Sequence, residues 1–189
     1  MLRMLLMTYL LTIDPGMSTG ITLGHFDETT PYERLGFWQI EGGLKGLLGW
    51  LDVHHVEDEF WWTFFDENIG FYDGDTVVIC EKFVPLPAPR TFKTAELEPI
   101  RIEGAVEVLL GDVVWQRAAM MVLAGGDTPA KRKRASDDVL RAGGLWVTGM
   151  KDLGMKDAND VISAQKHALA YLRSIKHKPT IEKYLLNEE

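Results

Sequence analysis

The sequence predicts an α/β fold: a mixed five-stranded sheet, three antiparallel strands followed by parallel ones, with helices on both faces. Three observations carry that expectation. Short apolar runs separated by turn residues fill the first forty or so positions, as in a β-meander. The apolar period then lengthens to i, i+3, i+4, i+7, and helical and strand-like segments alternate to the end. The chain has 189 residues, 46% of them hydrophobic and 25% charged, enough for one sizeable core and too little for two lobes around a cleft. One domain is therefore expected over residues 1–178, with 179–189 as a loose tail.

Taken in order, residues 7–14 read as a strand, "GITLGHF" from Gly20 as a second and "ERLGFWQI" from Glu33 as a third, with turns at Pro15, Gly16 and "DETTP". Leu44, Leu47, Leu48 and Leu51, then Phe60, Trp61, Phe64 and Phe65, make the stripe of one or two helices. Trp61 and Trp62 suit a core or a dimer interface. "DTVVICEKF" from Asp75 is a continuous apolar run rich in β-branched residues, the mark of a central strand covered on both faces. Three prolines in "VPLPAPRTFKT" require a loop. A helix is expected from about Pro99 through "IRIEGAVEVLLG", a short strand at "DVVWQ", and a helix capped by Thr128 with Pro129 at its first position. "LWVTG" reads as a strand. "DANDVISAQKHALAYLRSIKHK" gives a four-turn helix with a stripe through Val161, Ala164, Ala168 and Leu172.

Charge and cysteine content narrow the function classes. Net charge is −8, which argues against a polyanionic partner for the molecule as a whole. The acidity is local, however: residues 1–83 hold 4 basic and 14 acidic side chains, whereas residues 84–156 hold 11 and 9. The lone cysteine, Cys80, lies in an apolar run and suits a buried position, so a disulfide framework is excluded and a reducing, cytoplasmic setting fits. "MLRMLLMTYLLTI" is too short to span a bilayer and leads into Asp14 with no small-residue cleavage site, so it reads as a buried strand. Met4 and Met7 leave the start codon open.

Acidic residues stand where acids are unusual. Asp14 ends the first strand, directly before a proline and a glycine; Glu81 ends the apolar fourth strand; Asp157 and Asp160 open the last helix, at a spacing that sets both on one face. Taken singly, Asp14 reads as a turn residue and the helix acids as partners of the helix dipole. Glu81 is harder to explain so, since a strand this apolar ordinarily continues with another hydrophobe. If the first and fourth strands are adjacent and parallel, Asp14 and Glu81 meet at one sheet edge, and clustered carboxylates repel unless cations neutralise them. Oxygen ligands of this kind suit two Mg²⁺ ions, with Mn²⁺ able to substitute, and a paired-ion site promotes phosphodiester hydrolysis. His167, two turns beyond Asp160, is placed to flank such a site, although an ordinary core or surface histidine is the simpler reading.

"LTIDPGMSTGITL", "VVICEKFV", "IRIEGAVEVL" and "DANDVISAQKHALAYL" together resemble the four signature regions of RuvC-like Holliday-junction resolvases of the RNase H superfamily, over about residues 8–172. The resemblance implies a homodimeric endonuclease that nicks four-way DNA junctions symmetrically and leaves 5′-phosphate and 3′-hydroxyl ends. It maps the metal-bridging acid to Asp14, the strand acid to Glu81 and the helix acids to Asp157 and Asp160. Water is then expected to attack the scissile phosphate in line, with no covalent nucleophile. The aromatic-rich "VEDEFWWTFFDEN" and the overall acidity depart from the bacterial pattern and look like a phage-encoded relative.

Candidate DNA contacts are Arg90 and Lys93 in the proline-rich loop and Lys131, Arg132, Lys133 and Arg134 on the short helix; they would give affinity and salt sensitivity rather than sequence reading. Phe92 is a candidate wedge against an unpaired base, although a loop aromatic with merely local packing is the simpler reading. Three rivals remain. A sugar-kinase type of nucleotide-binding module needs two repeated lobes. The nuclease of a DNA-packaging or repair system, with broader substrates, normally accompanies an ATPase, and no P-loop is present. A non-catalytic DNA-binding module would have no need of the full acidic set.

Overall fold

The computed structural model describes residues 7–53, 76–84, 94–148 and 158–186. A five-stranded sheet organises them: β1 (Thr8–Asp14), β2 (Ser18–Phe26), β3 (Glu33–Glu41), β4 (Thr76–Glu81) and β5 (Val113–Gln116), in the spatial order β3-β2-β1-β4-β5. The first three strands pair antiparallel, while β4 is parallel to both β1 and β5. The mixed sheet predicted from the sequence is thus the one observed. Helix α1 (Gly43–Val53) follows β3, α2 (Thr94–Leu110) lies between β4 and β5, and α3 (Pro129–Ala142) and α4 (Asn159–Ser174) follow β5.

Side-chain alternation along the strands divides the core in two. Leu11, Ile13, Ile21, Leu23, Val78 and Cys80 face α1 and α2, where they meet Leu47, Leu51, Ile102 and Val106. Leu10, Phe26 and Ile79 face the other way, against Val161, Ala168, Leu169 and Leu172 of α4 and Val139 and Leu140 of α3. Cys80 is fully buried, as its apolar setting suggested. Leu169 and Leu172 are fully buried too, and a leucine in such a position contributes about 2–5 kcal/mol.

Several local expectations change. Helix α2 begins at Thr94 rather than near Pro99, and Pro99 lies inside it. Proline withholds its own N–H from the helical ladder and crowds the carbonyl one turn back, but this end is held from outside: buried Glu98 accepts the Leu44 N–H at 2.9 Å, at the start of α1, and pairs within α2 with Arg101. "LWVTG" forms no strand through Thr148, the last described residue there. The N–H groups of Leu145 and Trp146 instead donate back to the Leu140 carbonyl at 2.8 and 3.1 Å, closing the end of α3. The segment after Lys178, expected as a loose tail, is helical at Lys178–Thr180 and continues as a π-helical turn at Ile181–Leu185. Burial explains this: Tyr184 packs into the α4-side core and donates to the Tyr32 carbonyl at 2.9 Å, while Thr180 accepts the Tyr32 N–H at 2.8 Å. The aromatic run at 60–65 lies outside the described residues.

Among the described residues no helix is long and apolar enough to cross a membrane.

Candidate active site

Strand register builds the site. Asp14 pairs with Gly20 across β1 and β2, and Gly20 pairs with Gln39 across β2 and β3. On the other side Ile13 pairs with Cys80, so the next residues along the parallel strands, Asp14 and Glu81, stand side by side; Glu81 in turn pairs with Gln116. One transverse row therefore runs Gln39, Gly20, Asp14, Glu81, Gln116 at a single edge of the sheet. Alternation turns its members toward α4, because Asp14 shares the face of Leu10 and Glu81 that of Ile79.

Helix α4 lies directly on this row. A Cβ on Gly20 would stand 2.0 Å from the Asp160 carbonyl carbon and 2.4 Å from the Val161 nitrogen, so only glycine allows the helix start to approach β2 so closely. Gln39 then clasps the helix end: its amide nitrogen donates to Asp160 Oδ2 at 2.9 Å and to Ser18 Oγ at 2.6 Å, and its oxygen accepts the Val161 N–H at 3.4 Å. Two turns along, fully buried His167 meets Glu81 Oε2 through Nε2 at 2.9 Å and Gln116 Oε1 through Nδ1 at 2.7 Å.

Asp14, Glu81 and Asp160 are thereby brought together. Asp14 stays partly exposed, yet the surrounding protein desolvates it, and this is the main cause that pushes its carboxyl well above the ordinary carboxylate range. The negative charges of Glu81 and Asp160 add to the rise, as does a hydrogen bond to Glu81 that favours the protonated acid; the Ser163 hydroxyl, bonded to Asp14 from α4, acts in the opposite direction. Nearby, Glu103 of α2 accepts the Phe83 N–H just beyond β4, with its own carboxyl raised mainly by burial.

Among the described residues no three His, Cys, Asp or Glu side chains are arranged as a ready cation cage. The contacts account for this, since Glu81 is turned to His167 and Asp160 to Gln39. The donor chemistry nonetheless fits hard divalent ions: three carboxylates at one edge, one of them with its carboxyl pushed up by burial and further by the charges of the other two, is the arrangement that a cation relieves.

Asp157 lies outside the described residues, as do Arg90, Phe92 and Lys93. Helix α4 starts at Asn159 with Ala158 at its cap, so of the two helix acids only Asp160 falls in the described helix. Lys131, Arg132, Lys133 and Arg134 lie in the first half of α3. Lys131 pairs with Asp127 at 2.8 Å and Arg132 donates to the Gly126 carbonyl at 3.3 Å, while Lys133 and Arg134 are exposed. The N-cap is as the sequence predicts, with Thr128 accepting from the Lys131 N–H at 3.2 Å.

Gln39, Ser163 and Gln116 are absent from the candidates drawn from the sequence. A glutamine near the end of each of two apolar strands, in "FWQI" and "VVWQ", was the available signal. His167, for which an ordinary role was the simpler reading, contacts Glu81 directly.

No protein-family model matches this chain, and no curated protein matches it in sequence. Among solved structures it is similar to Thermus thermophilus RuvC in complex with a Holliday junction substrate, at 13% identity and a TM-score of 0.54, with 90% of this chain and 96% of that one covered. It is also similar to a second Thermus thermophilus RuvC structure, at 16% identity and a TM-score of 0.46, with 88% and 96% covered. Identity this low speaks to the fold alone: five strands in this order and orientation, flanked by helices, form a RuvC-like sheet of the RNase H-like type.

Proposed function

We propose that this protein is a divalent-metal-dependent endonuclease of the Holliday-junction resolvase type, acting on branched DNA as a homodimer. The observation that carries the reading is the convergence of Asp14, Glu81 and Asp160 on one sheet edge, with the Asp14 carboxyl held well above its ordinary range by burial and by the other two acids. Carboxylates are not crowded this way for stability, since each raises the electrostatic cost of its neighbours. The similarity to RuvC, whose solved complex holds a Holliday junction substrate, points the same way. The chain's departures from the bacterial sequence pattern favour a phage-type member.

In this reading Asp14, Glu81, Asp160 and Asp157 would together hold two Mg²⁺ ions, with Mn²⁺ able to replace them. Such ions, when bound, supply the charge that activates water and steadies both the attacking and the leaving oxygen in phosphodiester hydrolysis. The chain's own residues set the frame. Gln39 fixes the Asp160 carboxylate against the sheet, and the Ser163 hydroxyl orients Asp14. No side chain is needed as a covalent nucleophile; water would add at phosphorus as the P–O3′ bond breaks, the polarity that the RuvC-like resemblance implies, and the products would carry 5′-phosphate and 3′-hydroxyl ends. Arg90, Lys93, Lys131, Arg132, Lys133 and Arg134 contribute sequence-independent backbone attraction, and Phe92 stacks at the branch.

Incubation with a labelled four-way junction and with matched linear duplex, in Mg²⁺ and in EDTA, tests the proposal. Paired, metal-dependent nicks near the branch point are expected. Equal cutting of linear duplex would reassign the chain to a general or packaging nuclease, and no cutting of any DNA in Mg²⁺ or Mn²⁺ would leave a non-catalytic binding module.

A further inference from the structure

His167 is fully buried in the middle of α4, with both ring nitrogens engaged. A buried histidine needs partners, but a backbone carbonyl or hydroxyl would satisfy it. Here the partners are the side chains of Glu81 and Gln116, in-register neighbours at the ends of β4 and β5, which tie three elements together at one ring. Gln116 is itself almost wholly buried, whereas Glu81 has 19% of its side chain exposed. The arrangement is graded from a dry amide, through a dry imidazole, to a carboxylate that reaches the open side of the site.

We propose that His167 is a positioning residue: anchored by Gln116, it donates its Nε2–H to Glu81 Oε2 and fixes that carboxylate in the orientation from which its other oxygen serves the cation site. The inference rests on the metal-dependent reading given above and extends it to a residue that does not itself touch the reacting atoms. An ionised carboxylate only accepts, so the proton of this bond sits on Nε2. Gln116 completes the bond on the far nitrogen, with the amide face it presents following the tautomer. Histidines that ligate a metal are commonly held by a carboxylate behind them; here the order is reversed, with the carboxylate in front and the histidine behind. Rotation of Glu81 about its side-chain torsions is the motion this bond restrains, and a floppy glutamate would have to be ordered at each binding event.

His167→Leu keeps most of the volume and removes the donor, whereas His167→Gln sets an amide N–H close to the former Nε2. Long-range ¹H–¹⁵N correlation spectra of the metal-free wild-type protein are expected to show a protonated Nε2 whose signal shifts in Glu81→Gln. Mn²⁺ affinity, read from the electron paramagnetic resonance of free Mn²⁺, is expected to fall by about 10- to 100-fold in His167→Leu and to return to within about threefold of wild type in His167→Gln. Gln116→Leu, which leaves the histidine in place and loosens it, should fall between them. An Nε2 without its proton, or wild-type Mn²⁺ affinity in both His167→Leu and Gln116→Leu, would overturn the proposal. Should His167→Leu fail to fold, the Gln116→Leu titration and the spectra decide. Wild-type protein that binds no Mn²⁺ would instead overturn the metal-dependent reading, and with it the service of this bond to a cation.

Discussion

Replacing Gly20 by alanine probes the closest approach in the site. The added methyl group would stand 2.0 Å from the carbonyl carbon of Asp160, 2.2 Å from its oxygen and 2.4 Å from the Val161 nitrogen. All three are backbone atoms, so no side-chain rotation relieves the clash. Ordinary contact begins at 3.4 Å, and the nearest separation must therefore grow by about 1.4 Å. Because β2 is held on both sides by β1 and β3, the start of α4 is the part that gives way. That movement carries Asp160 away from Asp14 and stretches the bonds from Gln39 to Asp160 and Val161. Overpacking of this kind costs about 1–3 kcal/mol, which for a domain of this length lowers Tm by roughly 2–12 °C. A catalytic group misplaced by about 1 Å loses about 100-fold in rate. Gly104→Ala is the control: nothing lies within 4 Å of its new methyl group, and α2 should gain up to about 1 kcal/mol from better helix propensity. Thermal melts and single-turnover junction cleavage on both variants measure these effects. A Gly20→Ala protein with wild-type Tm and wild-type cleavage would refute the claim that this contact sets the helix acid.

Asp14→Asn should abolish cleavage and, in EDTA at pH 8, raise Tm. The folded-state pKa of Asp14 lies above its unfolded 3.8, so the group destabilises the metal-free fold increasingly as pH rises through the raised value, and the amide removes that dependence. Asp27 is the opposite case. Burial opposes its ionisation, but the N–H and hydroxyl groups of Thr29 and Thr30 donate to it and bring its pKa down to about 2. Its stabilising contribution is full above pH 3.8 and is lost as pH falls through about 2, so the acid-denaturation curve of Asp27→Ala should be shallower there, on top of a loss of about 1–3 kcal/mol at neutral pH. Lys133→Ala/Arg134→Ala should weaken junction binding and lower the log–log salt slope by about 2, with the cleavage pattern unchanged; an unaltered slope would remove α3 from the DNA path.

The order of strands and helices was legible because local chemistry writes it. Alternating apolar residues, turn residues at Pro15 and Gly16, and the Thr128–Pro129 cap act within a few positions of one another. Asp14 and Glu81 were legible as candidates because an acid at the end of an apolar strand has few local explanations. Where local and tertiary effects compete, the sequence misled: Glu98, reaching Leu44 on another helix, stabilises the stretch of α2 ahead of Pro99, and Tyr184, buried beside Tyr32, makes a helix of the apparent tail.

By itself, then, the sequence determined the order of the five strands and of the main helices, and which acids lack a local role, because those properties arise largely between near neighbours on the chain. Only the tertiary structure decided that Gln39, Ser163, Gln116 and His167 serve those acids. Their roles depend on strand register and on the place where α4 meets Gly20, and both are set by packing between segments distant in the chain, as between Gln39 and Asp160, 121 residues apart. A histidine in an amphipathic helix looks the same in sequence whether it faces leucine or glutamate, and the partner is chosen only when the sheet closes beneath it.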